Sequence, residues 1–334
     1  MMAGSEGLVT LVVSVYNIEI RLPKCLESIA AQTYRNLEIL LIDDGSTDGS
    51  GRLCDEFAAT DSRVRVIHKE HQGVWTVRNL GVEEAEGEYL VFPDGDDYFH
   101  KDYVRWLVEG INWGGKKYPM AICVFYRAKD EREDTTSEFT PSFEVLDQSF
   151  LLDQIVNYPT CWLTVWGAHW NKIYRKSRLP NPFQKEYLRC QDFETNLHFF
   201  FLTDQAVFVH RVLYYWVQWP GQSTRSKEDQ SLRNECRCRI YLEHFLSVPP
   251  SFSAYRPELM ANVYRRMIVW KESVRGTPEE RAVFKKIREI ERQTYPYFLL
   301  CKHFSLAHKA RWFLSLHAPR LLEKLGKTIP HELA

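Results

Sequence analysis

Four short apolar runs alternate with segments of helical spacing over the first hundred residues of the chain. The runs cover 8–15, 37–42, 64–67 and 88–92. The first is almost continuously apolar and β-branched, which is typical of a central strand covered on both faces of a sheet. Strands and helices that alternate in this way predict an α/β fold with a doubly wound, mostly parallel, Rossmann-like sheet.

Polar residues follow three of these runs, at the points where the predicted strands end. They are Tyr16 and Asn17 after the first run, Asp43 and Asp44 after the second, and Asp94, Gly95, Asp96 and Asp97 after the fourth. The carboxyl ends of parallel strands share one edge of a sheet, and ligands bind in the crevice beyond that edge. The pattern therefore favours a nucleotide-type pocket there.

The carboxylates at 94–97 have two interpretations at this point. Clustered carboxylates repel one another unless a cation neutralises them, and an oxygen-only ligand set selects magnesium or manganese over zinc or copper. An Asp-rich turn after a strand is also often only a solvated turn. Both interpretations remain open from this stretch alone.

Composition narrows the class of protein. With 334 residues, 45% of them hydrophobic and 26% charged, the chain is long enough for about two ordered domains. Its net charge of −1 gives no global positive field for a nucleic-acid partner. The eight cysteines lack zinc-site spacing, and we find neither a secretory signal nor a run long enough to span a membrane. We therefore expect a cytoplasmic protein.

Beyond residue 112 the pattern is less regular. We predict a strand over 120–126, a mobile loop over 129–142, a helix over 187–202, and two short strands over 206–209 and 212–217. From residue 228 onward the sequence is helical, and the break at Pro249 and Pro250 is interpreted as a domain boundary.

Several motifs together resemble the family 2 inverting glycosyltransferases of the GT-A fold. The matching segments are 13–17, 32–34, 43–48, 73–81, 87–89 and 94–97, with a weaker match through 170–174, 191–192, 214–215 and 223. The segments occur in the family's order and spacing. The resemblance implies a GT-A catalytic domain over 1–227, with a nucleotide-sugar half at about 1–112 and an acceptor half at about 113–227. A C-terminal helical region would cover 228–334.

The resemblance assigns a role to individual residues. Donor binding would fall to Val15, Tyr16, Asn17, Asp44, Arg78, Asp94 and Gly95. Among these, Asp44 would accept the base N–H of a uracil, and the ring of Tyr16 would lie beside that base. Asp96 would hold Mn²⁺ or Mg²⁺ on the diphosphate. Arg78 and Asn79 could reach the diphosphate, although a helix-borne Arg is as often a salt-bridge partner.

The predicted general base is Asp192, which stands where the family has a Glu-Asp pair that opens a helix. Here the pair is Gln191-Asp192, a departure from the family pattern. One carboxylate suffices to take the proton of an acceptor hydroxyl, whereas the alternative role is a helix-terminal Asp that complements the dipole.

Other assignments concern the acceptor and the second half of the site. Trp166 and Trp170 are predicted to stack on an acceptor sugar, with core packing as the alternative. The family commonly shows an Arg or His after Tyr214-Tyr215, whereas this chain has Trp216-Val217-Gln218. His210 or Arg225 are the candidate substitutes.

The C-terminal stretch 305–327 alternates apolar and basic residues. It is interpreted either as a peripheral contact with an anionic inner membrane face or as helices that pack on the rest of the protein.

The predicted activity is an inverting, metal-dependent glycosyltransferase of hexosyltransferase type, acting in polysaccharide biosynthesis. It would move a sugar from a nucleotide-sugar donor, with a UDP-sugar as first choice, to a hydroxyl of a glycan, polymer or lipid-linked acceptor. The alternatives are a non-catalytic nucleotide-sugar or glycan-binding module, and an Asp-x-Asp phosphotransferase. The phosphotransferase fits poorly, because its motif would follow the first strand, not the fourth.

Overall fold

The computed structural model describes residues 7–129, 135–156, 166–179, 190–219, 227–302, 304–318 and 320–321. The chain forms two compact units, Met1–Pro220 and Gly221–Ala334.

The first half of unit one is a parallel sheet with the strand order β3-β2-β1-β4. Its strands are β1 (Val9–Val15), β2 (Leu37–Asp43), β3 (Val64–His68) and β4 (Tyr89–Val91). The intervening helices are α1 (Leu22–Ala30), α2 (Ser50–Ala58) and α3 (Val74–Glu84). The predicted α/β fold with its parallel, doubly wound half is thus confirmed, with bounds that differ by one or two residues.

The second half of this unit extends the sheet with mixed pairings. Its elements are β5 (Tyr98–Phe99), α4 (Tyr103–Ile111), β6 (Met120–Ala128), β7 (Phe143–Asp147), α5 (Gln148–Val156), β8 (Lys172–Arg175), α6 (Gln191–Phe201) and β9 (Gln205–Val217). The order continues as β4-β8-β6-β9-β5, and β7 pairs with β9. Among the described strands of this half, β6 and β9 run parallel, and the pairs β4–β8, β6–β8, β5–β9 and β7–β9 are antiparallel.

Two predictions for this half are corrected. The two short strands over 206–209 and 212–217 are one strand, β9, whose register against β6 shifts at a bulge between Cys123 and Phe125. The segment predicted as a mobile loop is anchored in its described part, because the N–H of Lys101 donates to the carbonyl of Thr135 at 2.9 Å. Residues 130–134 lie outside the described residues.

Close packing of α3 on β1 fixes the position of the helix over the sheet. A Cβ on Gly81 of α3 would stand 2.1 Å from Cγ1 of Val12 on β1, so only glycine permits this approach. The same helix carries Arg78, which is buried. The fit of α3 against β1 therefore determines where that guanidinium meets the carboxyl edge of the sheet.

The described residues of unit two form four long helices: α7 (Lys227–Ser247), α8 (Arg256–Ser273), α9 (Glu280–Leu300) and α10 (Leu306–His317). Helices α7 and α8 pack together, and the indole N–H of Trp270 donates to Ser231 Oγ at 3.1 Å. The break at 249–250 therefore separates two helices of one unit, and its interpretation as a domain boundary was wrong. In the described part of the chain, no helix is long and apolar enough to cross a membrane.

Candidate active site

The turn after β4 lies directly against the carboxyl end of β1. Asp94 forms an isolated parallel bridge with Ser14, and the N–H of Gly95 donates to the carbonyl of Ser14 at 3.1 Å. A Cβ on Gly95 would stand 2.8 Å from that carbonyl oxygen, closer than side chains tolerate. Glycine at this position thus allows the carboxylates of the turn to approach Val15 and the end of the parallel sheet.

Three carboxylates of this turn form one cluster. An oxygen from each of Asp94, Asp96 and Asp97 lies within 4.8 Å of the others. Asp97 is buried, and it accepts hydrogen bonds from the hydroxyl of Tyr214 at 2.8 Å and from the N–H of Val217 at 2.8 Å. Asp97 therefore ties the turn to β9, a role that the sequence did not reveal.

The hydroxyl of Tyr214 holds the cluster at a second point. It accepts a hydrogen bond from the N–H of Asp94 at 3.1 Å, while the indole N–H of Trp219 donates to Asp96 Oδ2 at 2.9 Å. The turn is thus held through the backbone at Asp94 and through the carboxylate at Asp96. The remaining oxygens of Asp94 and Asp96 are the ones suited to hold a ligand.

The electrostatics of the cluster favour a cation. The pKa of Asp94 is raised to about 7: burial is the largest cause, Arg78 opposes it, and the neighbouring carboxylates of Asp96 and Asp192 add to the rise. Burial, with Asp96 and Asp94 beside it, raises the pKa of Asp97 well above its usual range. Crowded carboxylates with hard oxygen atoms are the donor set that Mg²⁺ and Mn²⁺ take, so the residues fit such an ion.

Arg78 joins this cluster to the predicted base. Its Nη1 forms an ion pair with Asp192 Oδ1, and its Nη2 lies 3.4 Å from Asp94 Oδ1. Asp192 stands in the first turn of α6 and about one-third of its side chain is exposed. These contacts fulfil the salt-bridge interpretation of Arg78, with a partner 114 positions away, and its contact with the diphosphate stays a prediction.

The environment of Asp192 keeps it ionised. Burial raises its pKa, but the positive charges of Arg78 and His169 outweigh burial, and the pKa of Asp192 falls below its ordinary value. An ionised carboxylate that remains partly open to solvent can accept a proton from a hydroxyl group.

A buried network of hydrogen bonds holds the first turn of α6 in place. The side-chain N–H groups of Asn196 donate to the carbonyls of Asp192 at 2.7 Å and of Gly167 at 3.0 Å, and its Oδ1 accepts from the hydroxyl of Tyr174 at 2.8 Å. Lys172 is fully buried beside it, and burial lowers the pKa of Lys172 to about 7. The only sequence signal for this network was the weaker family match over 170–174.

Directly after β2, Asp44 is buried under several donors. Its carboxylate pairs with the ammonium of Lys69, lies 2.9 Å from Nδ1 of His71, and accepts from the N–H of Gly73 at 2.7 Å. The ring of Tyr16 stacks on His71 with centroids 4.0 Å apart. His71 therefore contacts both Tyr16 and Asp44, and neither His71 nor Lys69 was identified from the sequence. The roles of Tyr16 and Asp44 in donor binding stay predictions.

The loop after β1 connects these residues. The carbonyl of Val15 accepts from the N–H of Asp44 at 2.9 Å. Asn17 has a positive φ of 50°, and its Oδ1 accepts from the N–H of Thr47 at 2.8 Å. Asn tolerates this left-handed backbone better than most residues, which explains why the strand ends in a polar turn here.

The predicted acceptor residues contact other protein side chains. Trp170 is buried and stacks on Tyr214 with centroids 4.6 Å apart, and Trp166 packs against Phe150 and Phe208. These contacts fulfil the packing interpretation, and an acceptor role for either ring stays a prediction.

His210 and Arg225 were the candidates to replace the Arg or His that the family has after Tyr214-Tyr215. His210 Nε2 lies 2.8 Å from Glu144 Oε2 at an exposed edge of the sheet. Arg225 lies outside the described residues.

Comparisons with known proteins agree with this architecture. The sequence profile of "Glycosyl transferase family 2" matches residues 10–194. Glycosyltransferase GlyG of Streptococcus pneumoniae is 31% identical over 229 residues, which cover 67% of this chain and 75% of GlyG.

Two solved structures share the fold at lower identity. TarS of S. aureus in complex with UDP-GlcNAc has a TM-score of 0.54 and 17% identity, over 87% of this chain and 92% of that one. The mannosyltransferase PcManGT from Pyrobaculum calidifontis in complex with GDP-Man and Mn²⁺ has a TM-score of 0.55 and 16% identity, over 97% and 88%. The family match spans more than half of the sequence, and the chain belongs to glycosyl transferase family 2, with the GT-A fold.

Proposed function

We propose that this glycosyltransferase is metal-dependent and uses Asp192 as the general base of an inverting transfer. The donor is a nucleotide-sugar, with a UDP-sugar as first candidate, and the acceptor is a hydroxyl of a glycan, polymer or lipid-linked glycan. The observation that carries the proposal is that Arg78 contacts both Asp192 and Asp94.

The donor would lie along the carboxyl edge of the parallel strands. Asp44 and Tyr16 are our candidates for contact with the base, because both stand where β1 and β2 end. Val15, Asn17 and Gly95 would shape the backbone around the nucleoside, and Asp94 would approach the ribose and diphosphate. TarS with UDP-GlcNAc and PcManGT with GDP-Man support a nucleotide-sugar as the ligand of this edge.

Asp96 and Asp94 would hold a divalent cation on the diphosphate. When bound there, Mn²⁺ or Mg²⁺ would take up the negative charge that develops on the departing nucleoside diphosphate. The clustered carboxylates and the Mn²⁺ of the PcManGT complex support this part of the proposal.

In the transfer step, Asp192 would remove the proton from the acceptor hydroxyl. The hydroxyl oxygen then forms a bond to the anomeric carbon of the donor, while the bond between that carbon and the diphosphate oxygen breaks on the opposite face. The anomeric configuration inverts. Arg78 keeps Asp192 ionised before the acceptor arrives, since its charge lowers the pKa of this carboxyl.

The experiment is nucleotide release from a panel of UDP-, GDP-, CMP- and dTDP-sugars, with and without Mn²⁺. The variants are Asp96→Ala and, as a matched control, Asp204→Ala, which removes an exposed carboxylate just before β9. We expect release from one donor that needs Mn²⁺, is lost in Asp96→Ala and persists in Asp204→Ala. Donor binding without any release, with all metals and acceptors tried, would instead identify a binding module.

A further inference from the structure

Four large apolar side chains are exposed together where α9 ends and α10 begins. We name this surface the apolar tip; its residues and exposed fractions are Tyr297 (51%), Leu299 (48%), Leu300 (80%) and Leu306 (84%). Single exposed leucines are normal on protein surfaces, but a group of this size within one helical connection marks an interaction site.

The residues of the apolar tip belong to two helix ends that contact each other. The ammonium of Lys309, in the first turn of α10, donates to the carbonyl of Leu299 at 2.6 Å. This bond holds the first turn of α10, which begins at Leu306, against the end of α9. Ser305 caps α10, because its Oγ accepts from the N–H of His308 at 3.1 Å.

The tip is separate from the face by which α10 packs within its unit. Trp312 and Leu316 are buried, and the ring of Trp312 stacks on Phe298 and Tyr264 with centroids 5.1 and 5.6 Å apart. Within the described part of 305–327, Trp312 and Leu316 are therefore used inside the protein, whereas Leu306, Phe313 and Leu321 are exposed.

The charged residues of the stretch that contains the tip have a single sign. Residues 292–321 contain five Lys or Arg and no Asp or Glu, in a chain whose net charge is −1. The basic residues are Arg292, Lys302, Lys309, Arg311 and Arg320. A second copy of this surface would bring like charges together, whereas a surface of negative charge complements it.

We propose that the apolar tip inserts into the interfacial region of a membrane that contains anionic lipids. Its leucines and Tyr297 would enter the boundary between headgroups and acyl chains, and Lys302 and Lys309 would contact lipid phosphates. This binding needs no transferase activity, so it stands or falls independently of the proposed function. It would place the enzyme at the surface where lipid-linked acceptors are found.

The test is sedimentation of the full chain with vesicles, either of phosphatidylcholine alone or of phosphatidylcholine mixed with an equal amount of phosphatidylglycerol. The variant is Leu300→Ser with Leu306→Ser. The matched control is Leu232→Ser with Leu246→Ser, which removes two leucines of α7 with exposures of 49% and 50%. We expect the tip variant to bind the mixed vesicles about tenfold or more weakly than the wild type, and the control to bind as the wild type does.

Salt and composition provide the second readout. Binding should weaken as salt rises and should be stronger to the mixed vesicles than to phosphatidylcholine alone. Failure of the wild type to bind mixed vesicles would overturn the proposal, and so would equal binding by the tip variant. Self-association of the wild type that the tip substitutions abolish, without vesicle binding, would assign the surface to a second copy and reject the membrane.

Discussion

Replacement of Tyr214 by Phe tests how the carboxylate cluster is held. The change removes only the hydroxyl, which donates to Asp97 and accepts from the N–H of Asp94. The ring should stay in place, because its stacking on Trp170 does not involve the hydroxyl. The substitution therefore loosens the turn without opening a large cavity.

The magnitude follows from the two groups left behind. A buried polar group that loses its partner costs about 1–3 kcal/mol, so for two groups we expect a loss of roughly 2–6 kcal/mol in the free energy of unfolding. For a unit of this size, 1 kcal/mol corresponds to about 2–4 °C, so Tm should fall by roughly 4–24 °C. The pKa of Asp97 should rise further, since the Tyr214 hydroxyl lowers it in the wild type. A supporting contact of this kind typically changes metal affinity by about 10–100-fold.

The assay is the Mn²⁺ concentration that gives half-maximal nucleotide release, together with a thermal melt. Tyr34→Phe is the matched control, because the Tyr34 hydroxyl donates to the carbonyl of Gly7, at the opposite end of the strand from the carboxylates. The control should lose about 1 kcal/mol of stability and keep its Mn²⁺ requirement. An unchanged Mn²⁺ requirement in Tyr214→Phe would refute the argument that Tyr214 positions the cluster.

Three further predictions concern other contacts. Gly95→Ala should abolish nucleotide release and cost about 1–3 kcal/mol in a thermal melt, because its Cβ would meet the carbonyl of Ser14. Arg78→Met should raise the pKa of Asp192, so the acidic limb of the kcat/KM profile should move to higher pH. If the limb does not move, Asp192 is not the group whose ionisation produces it. Burial lowers the pKa of Lys172 from 10.5 to about 7, so the unfolded chain binds the extra proton between these values. Stability should rise with pH across that window by up to about 1.4 kcal/mol per pH unit, and urea titrations of Lys172→Met should lack this contribution.

The sequence predicted the elements whose patterns are local. The strands β1 and β2 are continuous apolar runs covered on both faces, so their residues alone identify them. Strand β7 was missed, since Leu146 is its only buried residue and it pairs only with β9. The bulge in β9 was interpreted as a gap between two strands because it exposes His210 and Arg211, which resemble turn residues.

In the candidate site too, local patterns predicted some residues and long-range contacts determine the others. Asp44, Asp94 and Asp96 follow strands and were read from the ends of apolar runs. The bond from Tyr214 to Asp97 joins residues 117 positions apart, and no local pattern encodes such a pair. The pKa directions depend on burial and on these long-range partners, so they become visible only when the chain is folded.

Asp192→Asn provides the most direct test of the central claim, that Asp192 is the base of an inverting transfer at this site. The measurement is donor affinity by calorimetry alongside the rate of nucleotide release, with Asp204→Asn as a control for loss of an exposed Asp. We expect donor affinity within about twofold of the wild type and a rate lower by about 10²–10⁴-fold, the usual contribution of a general base. A rate close to that of the wild type would contradict it.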